Sequence, residues 1–178
     1  MVPRFYFELP FFRERSDFFS DVSLLNQCQA LCKAVVDQLK FVRRQTIEHV
    51  KDMNDATTEI IPIGLGHMYV VHEKFAFQLA GQETRYPDNF NKLFDPGTKP
   101  SDWDIEPPAL SRLIDLLTEQ MQRVEDVLSS RLNEDIHSPY KSSTGLTFTT
   151  IEQLLGFLIY HEAMHFATIK NMKSLIEN

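Results

Sequence analysis

Residues 82–108 read QETRYPDNFNKLFDPGTKPSDWDIEPP and hold five of the chain's nine prolines. Proline fixes its own backbone and removes a donor, so this stretch cannot be one regular element. The Pro-free runs on either side, 11–61, 63–86, 109–138 and 140–178, are where long helices can form. Four such runs around one Pro-rich connection exclude a sandwich or barrel, which needs turn signals every ~8–12 residues. At 178 residues and 43% hydrophobic content, one domain with a sizeable core is expected, and a disordered chain is not.

Each run carries a helical stripe. The first, about 18–53, shows Leu25, Cys28, Cys32, Val35, Leu39, Val42, Thr46, His49 and Met53 at alternating spacings of three and four. The second, about 62–80, opens on Pro62, is apolar on most sides and stops at Gly81. The third, about 108–131, has Leu110, Ile114, Leu117, Met121, Val124 and Leu128. The fourth, about 150–176, follows Thr149/Glu152 and Thr150/Gln153, both of which fit a capping box. Residues 133–148, with His137, Pro139 and Gly145, read as a second loop. The expectation is an all-α single domain over 1–178: a four-helix bundle whose second and third helices are joined by an irregular crossover at 82–107.

Charge and cysteine usage narrow the function. Acidic residues outnumber basic ones 25 to 18 and no basic block stands out, so nucleic acid is not an expected partner. No apolar stretch reaches the ~18–20 residues of a membrane span. Arg13-Glu14-Arg15 interrupts the apolar start, so no secretory signal is expected. Cys28 and Cys32 sit on the helix-one stripe as core residues rather than as a disulfide framework. A cytoplasmic protein follows as the expectation.

The chemically informative residues lie on the fourth helix. Its stripe, Ile151, Leu154, Leu158, His161, His165, Thr168 and Met172, puts two histidines at consecutive core positions. Burying two imidazoles without partners costs a few kcal/mol in order of magnitude. A divalent metal is the economical compensation, against the alternative of hydrogen-bonded core histidines. His161-Glu162-Ala163-Met164-His165 also matches the H-E-x-x-H signature of zinc peptidases. The chain opposes that reading, with only 13 residues after His165 and no strand pattern before the motif. A di-iron site would need a second Glu-x-x-His. The match at Glu134 and His137 falls at the frayed end of the third helix. For a third ligand, His67 and His72 on helix two and His49 on helix one all remain open. His67 and His72 lie five residues apart, so they point to different sides.

The pieces Glu59-Ile60-Ile61-Pro62-Ile63-Gly64-Leu65-Gly66-His67 and Tyr160-His161-Glu162-Ala163-Met164-His165 resemble the DinB/YfiT-like superfamily of metal-dependent bundles. The loop from Tyr86 to Pro108 and the run Gly145-Leu146-Thr147-Phe148-Thr149-Thr150 are similar to that family as well, so the resemblance spans about residues 20–175. It implies one divalent metal, zinc or nickel or else iron, on His67, His161 and His165. His49, His72 and His137 match no ligand position, and Phe166 stands where many relatives carry a basic residue. The resemblance further implies a homodimer and a thiol-transferase-like activity on a small electrophile, with a low-molecular-weight thiol as cosubstrate. Arg85, Lys92 and Lys99 are candidates to meet such an anionic cosubstrate. Glu162 is the candidate catalytic residue, orienting water or a proton. Metal-dependent hydrolysis, or a non-catalytic metal-binding stress-response module, are the alternatives.

Overall fold

The computed structural model describes residues 21–53, 60–143 and 145–176, with side chains over 33–53, 61–143 and 145–175. Among the described residues five α-helices carry the fold: α1 Asp21–Val50, α2 Ile60–His72, α3 Phe90–Phe94, α4 Leu110–Leu128 and α5 Ile151–Ile176. The expected start of helix one at Phe18, and the side chains of Leu25, Cys28 and Cys32, lie outside the described residues. α1, α4 and α5 fall within Pro-free runs, whereas α2 begins two residues before Pro62 and takes it into its first turn. Among them, α1 packs against α5 and α4, and α2 packs against α4 and α5.

The ends follow local chemistry. α2 passes directly into a π-helical turn, Glu73–Gln78, and is stopped by Gly81 at φ +72. There the Gln82 N–H donates to Phe77 O (2.8 Å) and the Gly81 N–H to Gln78 O (3.1 Å), the paired bonds of a Schellman cap. α5 begins under a capping box. Thr150 Oγ1 accepts from the Gln153 N–H (3.4 Å), and Gln153 Oε1 accepts from the Thr149 N–H (2.7 Å).

Two segments depart from the sequence reading. Residues 133–148 are not a plain loop: β1 Asp135–Lys141 pairs antiparallel with β2 Thr147–Thr150, in register Tyr140↔Phe148 and Lys141↔Thr147. Ile136 and Phe148 bury their side chains, and Gly145 takes φ +91 between the strands. Pro139 lacks a ladder donor, and it falls where the register slips between Asp135 and Tyr140. A strand therefore does precede α5, contrary to the expectation. The crossover is also more regular than expected, because α3 and a 3-10 turn at Pro100–Asp102 sit inside it. Phe90, Leu93 and Phe94 are buried there, and Trp103 Nε1 donates to Leu93 O (3.1 Å), tying the two together.

The interior is layered along the helices. One apolar cluster gathers Val36, Leu39, Phe75, Phe77, Val124 and Leu158 at the hairpin end. A second gathers Val50, Leu65, Met68, Phe94, Leu113 and Ile169 at the crossover end. Between them every long helix contributes buried polar side chains: Arg43 and Thr46 from α1, Gln120 from α4, and His161 and Glu162 from α5. His72, the last residue of α2, and Glu73, the first of its π turn, complete the layer. α3, α4 and α5 of the same chain all pack on α2, so its all-round apolar composition is met internally.

Candidate metal centre

His67 reaches the polar layer from α2, with His161 and His165 arriving one turn apart from α5. Ring centroids are 5.3 Å apart for His67–His161, 5.1 Å for His67–His165 and 4.6 Å for His161–His165. One ligand atom from each lies within 4.8 Å of the other two, close enough to hold a metal ion.

Local packing aims the first of these rings. A Cβ at Gly66 would overlap the Phe94 ring, so glycine lets α3 seat directly on α2. That seating brings Phe94 O to His67 Nδ1, which donates to it at 2.8 Å. A carbonyl only accepts, so the proton is on Nδ1 and the Nε2 lone pair is free for a ligand. His161 is arranged differently: it is buried and its Nδ1 has no hydrogen-bond partner. Burial, then the neighbouring His165, His72 and His67, pushes His161 down to about 3. Burial and His67 likewise push His165 down to about 4. Both are neutral near pH 7, which is the state that ligates a metal. Neutral imidazoles converging with an orphaned buried nitrogen among them fit a divalent ion.

The other histidines lie elsewhere. His72 is wholly buried and is held by other groups: Arg43 Nη2 lies 3.1 Å from its Nδ1, and Glu162 Oε2 lies 3.1 Å from its Nε2. His49, at the end of α1, packs edge-on against Phe166 (5.8 Å). His137 is exposed on β1. α4 ends at Leu128, and Glu134 pairs with Arg131 at 2.8 Å.

Glu162 sits between the two α5 ligands in sequence, but its carboxylate is fully buried and held by Arg43 Nε at 2.6 Å. Burial works to raise its pKa. The Arg43 charge and the contact with His72 work against that and hold it well below the usual carboxylate range. Arg43 also donates through Nη1 to Leu117 O (2.7 Å). Its neighbour Gln120 donates through Nε2 to Tyr69 O (3.0 Å) and Glu73 Oε1 (2.9 Å). Glu73 Oε2 accepts from Arg123 (2.9 Å) and from the Arg85 backbone N–H (2.7 Å). The sequence reading missed Arg43, Glu73, Gln120 and Arg123. The available signal was spacing: Leu39 and Thr46 of the expected stripe are buried, but Val36, Arg43 and Val50 are buried in place of Val35, Val42 and His49, one residue further on.

A cavity of about 610 Å³ opens over His67 and His161, walled by Tyr86, Asn91, Tyr140 and Phe157. Burial, then Glu73 and Asp95, pushes the Tyr86 hydroxyl up to about 12, so near pH 7 it is a donor. Lys74 is the one lysine or arginine lining this cavity among the described residues; Arg85, Lys92 and Lys99 do not line it. A groove of about 670 Å³ between α1 and α4, beside Phe41 and Met121, lies away from the triad.

The DinB superfamily profile matches residues 38–169, a span that contains all three histidines. No curated protein matches the chain. No helix among the described residues is long and apolar enough to cross a membrane.

Proposed function

The chain belongs to the DinB superfamily, and on that footing we propose that it is a metal-dependent enzyme whose His67, His161 and His165 hold one divalent ion beside a small-molecule cavity. The observation that carries this reading is the convergence of three ligand atoms within 4.8 Å, at the floor of a cavity lined by two of their side chains. Zinc, nickel and iron all suit imidazole, and three neutral ligands leave a position open for a further one. A divalent ion there would lower the pKa of a bound thiol or water, making either a nucleophile near neutral pH.

The favoured reaction is transfer of a low-molecular-weight thiol to a small electrophile. The chain's own contributions are orientation and exclusion of water. Phe157 and Tyr140 supply an apolar wall, Tyr86 offers a neutral hydroxyl as donor, and Lys74 offers a single cation to an anionic group. That one cation favours a small thiol of low charge. Glu162 does not line the cavity, and its role in this proposal is behind the ligands. The same reading takes 1–178 as one cytoplasmic four-helix-bundle domain with a crossover between α2 and α4. It also includes a homodimer that would cover the exposed Tyr160 and Met164 on α5.

The test uses tag-free protein, loaded in turn with zinc, nickel and iron, against a panel of thiols with electrophiles and a panel of amides and esters. Metal-dependent thiol consumption is the expected result. Turnover of esters or amides alone would replace transfer by hydrolysis. Full metal occupancy with no turnover on either panel would leave a non-catalytic metal-binding module.

A further inference from the structure

Arg43 belongs to the one helix of the polar layer's core, besides α4, that supplies no histidine to the triad, yet its guanidinium reaches all three other long helices. It touches Glu162 on α5, His72 on α2, and Leu117 O and Gln120 on α4. It is only 2% exposed, and Glu162 and His72 are wholly buried. Resting on the metal-site reading above, we propose that Arg43, Glu162 and His72 form a buried clamp that sets the register of α5 against α2, and so act as positioning residues for the metal centre.

The geometry of the clamp is directional on each side. A guanidinium is a donor only, so His72 Nδ1 must accept from Arg43 Nη2 and the ring proton is on Nε2. That nitrogen faces Glu162 Oε2 at 3.1 Å, while Glu162 Oε1 accepts from Arg43 Nε at 2.6 Å. Arg43 thus bonds both partners, and the third side, His72 to Glu162, is a close contact at ion-pair distance rather than an aligned hydrogen bond. Glu162 is one residue after His161 and three before His165, so any restraint on its carboxylate restrains both α5 ligands. His72 is five residues after His67 on α2 and anchors the other half of the triad.

Apolar packing alone would aim these helices less well. Contacts among Leu, Val and Phe side chains are non-directional and change little over a small rotation or slide. Hydrogen bonds to a carboxylate weaken steeply with misalignment. The need for such a device is greatest at His161. The Phe94 carbonyl orients His67 directly, but nothing donates to or accepts from His161 Nδ1. The direction of that ring therefore depends on how α5 itself is rotated, and Glu162 on the adjacent position sets that rotation. A buried ion pair adds little stability over apolar residues of similar volume, and a role in specifying register is its best-attested use.

The test compares wild type, Arg43→Met, Arg43→Lys, the double variant Arg43→Met/Glu162→Met, and Leu128→Ala as a core control in the distant hairpin-end cluster. Metal affinity is read by competition with a chromophoric chelator, ligand geometry by the visible spectrum of the Co(II)-loaded protein, and stability by thermal melting. Arg43→Met is expected to bind Co(II) about 10-fold more weakly, the low end of the effect of losing a group bonded directly to a ligand, with an altered spectrum. Arg43→Lys should recover part of the affinity. The double variant should regain melting temperature but not affinity, which keeps the test open if Arg43→Met does not fold. Leu128→Ala should melt lower while keeping wild-type affinity and spectrum. Wild-type affinity and spectrum in Arg43→Met or in the double variant would overturn the clamp and leave the metal site standing. Failure of wild type itself to bind Co(II), Zn(II) or Ni(II) would overturn the metal site, and the clamp with it.

Discussion

His72 and His161 face the same polar layer, both are buried, and burial lowers the pKa of each. What separates them is charge. His72 has Arg43 on one ring nitrogen and the Glu162 carboxylate 3.1 Å from the other, an ion-pair distance without hydrogen-bond alignment, within a cluster whose charges answer one another through Gln120, Glu73 and Arg123. His161 has an orphaned Nδ1 and two further imidazoles as neighbours. The first group closes on itself and completes the fold. The second brings lone pairs together with nothing cationic among them, an arrangement that a bound cation would stabilise. Polar burial alone does not mark a candidate metal site; buried lone pairs gathered without a cation do.

The sharpest way to break the contrast is to unpair the closed cluster. Glu162→Ala leaves the Arg43 guanidinium buried without its carboxylate, and a loss of about 3–5 kcal/mol is expected by urea denaturation. A loss below about 1 kcal/mol would mean that water or another group already shares that charge.

Acid should separate the two groups next. In metal-free protein, His161 and His165 stay neutral down to about 3 and about 4 in the folded chain, while the unfolded chain protonates them from about pH 6.5 downward. The unfolded state then binds more protons, so stability is full above that pH and falls as the pH drops toward 4. Glu162 works in the same direction lower down. Its depressed folded pKa contributes stability above its ordinary value of 4.5, lost as the pH falls through the folded value. Denaturation midpoints that stay flat between pH 7 and 5 would show the triad already partnered without metal.

The smallest effect concerns the Phe94 carbonyl that holds His67. Gly66→Ala drives a methyl into the Phe94 ring, and about 1–3 kcal/mol of stability should be lost to overpacking. Displacement of α3 should also remove the Phe94 carbonyl from His67 and weaken metal binding. Unchanged affinity alongside the lost stability would separate that carbonyl from the site.

The same contrast decides what a reader of the sequence can see. Pro-free runs and apolar spacing announced the four long helices, because those signals are local. His161 and His165 stood out as histidines in core positions, and His67 came from family likeness rather than periodicity. The hairpin at 135–150 was hidden, since Pro139 breaks the alternation and only Ile136 and Phe148 are buried in it. Arg43, Glu73 and Gln120 were hidden for a different reason. Charged and amide side chains default to solvent, and only partners 12 to 119 residues away in the chain justify their burial. The stretch 82–108 reads in sequence as an irregular connection, and its prolines hide α3, whose Phe94 carbonyl holds His67.

The most direct measurement is metal stoichiometry in tag-free His161→Ala and His72→Ala, purified side by side and loaded with zinc. The account predicts less than about a tenth of an equivalent bound to the first variant. For the second it predicts close to one equivalent, with weakened affinity. Equal occupancy in the two variants, or loss confined to His72→Ala, would contradict it.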